Sequence, residues 1–132
     1  MKKTIKVALT LALVLVLTFT FASCTVYIVK GCVENTWTNG VRCRYEYLQG
    51  ERKYFVTVKS GEIVDLTVKV TTESGKLGLR VELPDRQADY QGSDVGNNEF
   101  VVYLLNPGVY TITVNGQKHK GSYEFSWKTV SK

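Results

Sequence analysis

The sequence predicts an all-β fold: an antiparallel two-sheet β-sandwich, jelly-roll-like, of about eight strands. Three observations lead there. Apolar residues alternate with polar ones over stretch after stretch, as strands with one buried face require. Gly, Asn and Ser punctuate those stretches where a turn needs positive φ. Helical spacing is missing outside the N-terminal segment, and 132 residues suffice for one core but not two.

In chain order, Thr25 to Lys30 is a short first candidate. Val41 to Leu48 follows, with Val41, Cys43, Tyr45 and Tyr47 on one face against Arg42, Arg44 and Glu46. Lys53 to Lys59 aligns Tyr54, Val56 and Val58, and Ile63 to Val70 aligns Val64, Leu66, Val68 and Val70. Leu77 to Leu83 sets four aliphatic residues opposite Gly78, Arg80 and Glu82. Phe100, Val102 and Leu104 come next, then Tyr110, Ile112 and Val114, and last Tyr123, Phe125 and Trp127. Turns are expected at Lys59-Ser60-Gly61-Glu62, Ser74-Gly75, Asn106-Pro107-Gly108 and Asn115-Gly116.

Residues 1–23 read as a signal peptide. Lys2 and Lys3 form a basic start, Val7 to Phe21 is an uncharged apolar run, and Ala22-Ser23 supplies the small residues of a processing site. Fifteen uncharged residues, three of them Thr, fall short of the roughly 20 that span a bilayer. Phe21-Ala22-Ser23-Cys24 resembles the lipobox of bacterial lipoproteins, although Phe21 stands where Leu is usual. The resemblance implies a lipid on Cys24, residues 24–132 as the mature single domain, and anchoring to the cell membrane or envelope on its extracytoplasmic side. Ordinary secretion after cleavage near Ala22 or Ser23 is the alternative.

The whole chain carries +5, and losing Lys2, Lys3 and Lys6 with the signal leaves +2. So small an excess gives no field for nucleic acid.

The chain has three cysteines, an odd number for an exported protein. With Cys24 lipidated, Cys32 and Cys43 remain as a disulfide pair whose closure contributes roughly 3 kcal/mol. Thr38-Asn39-Gly40-Val41 competes with that bridge, because a tight hairpin on Asn39-Gly40 sets Cys32 opposite Tyr47, about 13 Å out of register. The bridge leaves Val33 to Gly40 as an irregular loop; the hairpin leaves two free thiols.

Leu105-Asn106-Pro107-Gly108-Val109-Tyr110-Thr111-Ile112-Thr113-Val114 and Gly121-Ser122-Tyr123-Glu124-Phe125, with Phe55 to Glu62 and Leu77 to Pro84, resemble the bacterial pre-peptidase C-terminal domain and its collagen-binding relatives. The resemblance covers roughly residues 53 to 128 and implies a small β-sandwich of the kind appended to secreted hydrolases. The Asp-rich strand start common in that family is absent at Lys76-Leu77-Gly78-Leu79, and no catalytic domain accompanies this copy.

The remaining candidates are binding residues, and no enzyme is expected. His119 is the single histidine, set between Lys118 and Lys120 without a nucleophile or carboxylate nearby in sequence, and reads as a solvated turn residue. Pro84 to Asn98 is the longest segment without strand pattern; it holds Asp85, Asp89 and Asp94, with Tyr90 as an exposed aromatic. Such a loop suits recognition. Calcium is possible on its oxygens, though no cofactor is expected, since the spacing matches no calcium-loop pattern. Trp37 either stacks on a ligand or folds over one end of the sandwich as a lid. Arg42, Arg44, Arg52 and Lys53 read as a solvated strand face. The function expected is a non-catalytic, surface-tethered binding module for an envelope or extracellular protein or polysaccharide, the alternative being a structural or assembly subunit of an envelope complex.

Overall fold

The computed structural model describes residues 27–131, so Cys24 and the signal segment lie outside the described residues. Seven strands form: β1 (Ile28–Lys30), β2 (Val33–Trp37), β3 (Gly40–Val58), β4 (Glu62–Glu82), β5 (Tyr90–Gly92), β6 (Asn98–Leu104) and β7 (Gly108–Ser131). All pairings are antiparallel, in the order β1-β3-β7-β4-β5, with β2 also on β3 and β6 also on β4. None of the described residues is helical, so no helix there is long and apolar enough to cross a membrane.

Three strands of about twenty residues carry the whole fold, and each is interrupted at the same level. Pairing with β7 shifts register between Tyr45 and Gly50 of β3, and again between Thr72 and Lys76 of β4. Between them, β7 holds Lys118 at φ +50. Bulges bend strands, and here the bend folds one sheet into two layers. Tyr54 and Cys43 lie eleven residues apart on β3, about 36 Å if straight. Yet the Tyr54 ring is 5.9 Å from that of Tyr123, the β7 partner of Cys43. One layer therefore holds β2, β6, the first halves of β3 and β4 and the end of β7. The other holds β5 and the remaining halves.

The alternating faces meet between these layers as one core. Val41, Cys43, Tyr45, Val64 to Val70, Tyr123 and Phe125 face Val56, Val58, Leu77 to Leu83, Tyr110, Ile112 and Val114. The apolar faces expected from period two are the buried ones, so the antiparallel sandwich stands.

Four local expectations are corrected. Ser74-Gly75 and Asn115-Gly116 do not turn the chain; they sit in β4 and β7, where the left-handed or irregular backbone they permit makes the corner. Tyr47 is not in the core; the bulge after Tyr45 reverses the parity and brings in Leu48, 1% exposed. Val33 to Gly40 is no irregular loop: β2 pairs with β3 through Trp37↔Gly40, leaving Thr38-Asn39 as the turn. The reason lies in the side chain of Trp37, whose indole covers Gly40 so closely that a Cβ there would sit 2.2 Å from the ring. Gly40 makes room for the indole rather than supplying positive φ. The fourth is His119, buried at the corner instead of lying in a solvated turn.

Candidate functional site

The predicted site residues do not converge. Trp37 lies on the outer face of the first layer, 39% exposed, its turn tied to β7 by Asn39 Nδ2 donating to the Trp127 carbonyl at 2.9 Å. Tyr90 is not the exposed aromatic expected. It pairs with Val81 on the inward parity of β5 and packs on Phe100 at 4.6 Å between centroids, closing the open end of the sandwich. Asp85, Asp89 and Asp94 are all exposed, and among the described residues no three His, Cys, Asp or Glu side chains gather as metal ligands.

Cys32 and Cys43 do meet. Their Sγ atoms are 3.0 Å apart, both as thiols, with Cys32 exposed and Cys43 buried. The tight turn and the approach of the thiols, which the hairpin on Asn39-Gly40 makes exclusive, coexist, because the turn sits one residue earlier than Asn39-Gly40. Burial, then the contact with Cys32, pushes the Cys43 thiol up to about 12. Beside the pair, Tyr54 donates to the Glu34 carboxylate at 3.2 Å, so the 2.6 Å contact between Tyr54 and Tyr123 hydroxyls has Tyr123 donating. Arg52 completes the cluster with an ion pair to Glu34 at 2.8 Å.

Sequence reasoning missed two features. The first is a cleft of about 280 Å³ on the outer face of the second layer. Register explains it: Glu51 stands beside Asn115 and Asn115 beside Gly78, while Thr113, Arg80 and Gln91 form the next row. Gly78 has no side chain, and its position becomes the floor; a Cβ there would approach the Gly92 carbonyl to 3.4 Å. Around it rise Gln91, Asn115, Gln117, Glu51 and Arg80, the last paired with Glu82 at 2.9 Å. Side-chain amides both donate and accept, which matches a ligand whose groups do the same. The only trace in the sequence was polar residues on the non-core parity of four strands, which read equally as ordinary surface.

The second is His119, fully buried instead of solvated. Its ring lies at the corner of the fold, with Nδ1 2.5 Å from the Tyr45 hydroxyl of β3 and Nε2 2.8 Å from Thr72 Oγ1 of β4. Counting by twos forward from Val114 puts residue 119 outside. Counting back from Tyr123 through Gly121 puts it inside, and the bulge at Lys118 makes the second count the true one. Burial holds the ring's pKa below its ordinary 6.5, with the nearby Asp94 carboxylate opposing.

Fold and cleft together define an all-β sandwich with a polar-lined cleft on the outer surface of one sheet layer. No protein-family model matches the chain, and no curated protein matches it.

Proposed function

We propose that the chain is a non-catalytic bacterial lipoprotein module that binds a polysaccharide in the cleft over Gly78. One observation carries the choice of ligand: the side chains around the Gly78 floor include the amides of Gln91, Asn115 and Gln117 and the hydroxyls of Ser93 and Thr113, while the Arg80 guanidinium is held by Glu82 and Glu51 adds one carboxylate. A polyhydroxylated, uncharged chain satisfies such walls, since each hydroxyl both donates and accepts. At about 280 Å³ the cleft suits one sugar unit at a time.

The test is a glycan array probed with the protein. Gln91→Ala and Asn115→Ala should each weaken binding of the best glycan by about tenfold, the loss of one to two hydrogen bonds, with an unchanged melting temperature. Equal binding by both variants would remove the cleft from consideration.

The address is proposed on the lipobox-like Phe21 to Cys24. Replacing Cys24 by Ala should release the protein from the membrane fraction, because acyl chains at about 0.8 kcal/mol per buried CH₂ hold it there. Retention in the membrane would refute the anchor. In that oxidising compartment Cys32 and Cys43 form the bridge that their 3.0 Å approach supports. Thiol titration of the exported protein under denaturing conditions should then find neither reactive; two free thiols would exclude it.

A second reading rests on β6, an edge strand with Val101 43% and Tyr103 60% exposed. An unpaired apolar edge favours pairing with another subunit. Co-purification of a stable envelope complex, lost in Tyr103→Lys, would select the assembly role instead.

A further inference from the structure

We propose that His119 makes the cleft acid-sensitive: a second proton on its ring loosens the Ser93 to Asn98 segment from β4 and with it the β5 wall that carries Gln91. The consequence for ligand rests on the cleft reading above; the movement itself does not.

The hydrogen bonds allow only one arrangement of protons. The Gly96 carbonyl can only accept, so the Thr72 hydroxyl donates to it at 3.0 Å. With its one proton so engaged, Thr72 Oγ1 accepts from the ring, and Nε2 carries the N–H. A neutral imidazole has a single N–H, so Nδ1 accepts from the Tyr45 hydroxyl. Every polar atom in the chain Tyr45, His119, Thr72, Gly96 is then satisfied.

A second proton has one place to go, Nδ1, and there the new N–H confronts the Tyr45 O–H. The phenol must turn its proton away from the ring, and among the described residues its hydroxyl has no hydrogen-bond partner besides His119. Burial raises the pKa of Tyr45 as well, so the phenol does not ionise to accept the proton. The charged groups around the ring give little relief. On its own strand are Lys118 and Lys120, the latter drawn outward to Glu46 of β3 at 3.4 Å and Glu73 of β4 at 3.6 Å. The carboxylate that favours the cation is Asp94, in the segment itself.

The strained ring is relieved by water, and the segment is the easiest element to move. β3 and β4 are tied to β7 by ladders on both sides of the corner. The segment is held by Gly96 on Thr72 Oγ1, by Asn97 bonded to the Thr72 backbone at 2.8 and 3.3 Å, by Val95 N donating to the Leu77 carbonyl at 2.9 Å, and at its end by Asn98, where the β6 ladder on β4 begins at Val70. Gln91, Gly92 and Ser93, which precede it directly, line the cleft. Because burial depresses the pKa of the closed state, the open state binds more protons. The closed state is fully favoured above about pH 6.5 and weakens as pH falls below it, by up to about tenfold per pH unit.

His119 is the chain's one histidine, so its ring can be read without ambiguity in the ¹⁵N-labelled full chain. At pH 7.5 the long-range ¹H–¹⁵N spectrum should show Nε2 protonated and Nδ1 bare. Amide exchange, corrected for its intrinsic pH dependence, should lose protection across residues 90–98 between pH 7 and 5 while Ile112 and Phe125 stay protected. Asp94→Asn, an exposed change that leaves the core intact and removes the carboxylate favouring the cation in the closed state, should deepen the loss of protection in acid, and His119→Gln should abolish it. An Nδ1–H tautomer, or protection of residues 90–98 that does not change with pH, would overturn the proposal. A segment that loosens in acid while glycan affinity stays constant would uphold the movement and refute the cleft as the binding site.

Discussion

Ile112→Ala is expected to lower the unfolding free energy by about 2–5 kcal/mol. Ile112 sits on β7 at the middle of the sheet, facing Tyr54 of β3 on one side and Val81 of β4 on the other, and is 0% exposed. Truncation there loses the transfer free energy of three carbons and leaves a cavity that neighbours on two laddered strands cannot collapse into. Val101→Ala, on the exposed edge of β6, removes apolar atoms that are already partly in water and should cost no more than about 0.5 kcal/mol. Urea unfolding of the two variants measures the difference. Equal midpoints would mean that the β7 face is assigned to the wrong side, since slipping one residue turns every side chain over.

The inner faces were legible because period two survives wherever a strand is straight. Val64 to Val70 and Leu77 to Leu83 needed nothing beyond alternation. What alternation does not carry is continuity across a bulge, and the errors in mid-strand trace to one. Ser74-Gly75 and Asn115-Gly116 have turn chemistry, but a residue free to adopt unusual φ serves a bulge as well as a turn, and neighbouring ladders decide which. The same bulges hid Leu48 and His119 by reversing parity in mid-strand. Gly40 misled for another reason: Asn-Gly signals a hairpin through backbone preference, while the register here is set by the indole of Trp37 needing a bare neighbour. The cleft was not legible at all, because Glu51, Gly78, Gln91 and Asn115 come from four strands and acquire meaning only in register.

That corner is also where substitution should be least tolerated. Gly121→Ala is expected to cost about 3–5 kcal/mol, combining left-handed strain with lost ladder bonds. Gly121 holds φ +151 between Tyr45 of β3 and Thr72 of β4, and a Cβ there would sit 2.0 Å from the Thr71 carbonyl oxygen and 3.3 Å from the His119 ring. That oxygen belongs to backbone fixed in a ladder, so the strands must part to admit the methyl. Parting them also disturbs the bond between Thr72 and His119. Gly61 separates conformational strain from collision. It holds φ +81 in the turn before β4 with nothing within 4 Å of its missing Cβ. Gly61→Ala therefore carries only the left-handed penalty, about 1–2 kcal/mol. Denaturant midpoints of the two variants, compared at matched slope, should rank Gly121→Ala as clearly the weaker, or find it unable to fold. Near-equal midpoints would show that β4 and β7 have slack at Thr71, and that the corner is not the rigid joint on which the bent sheet depends.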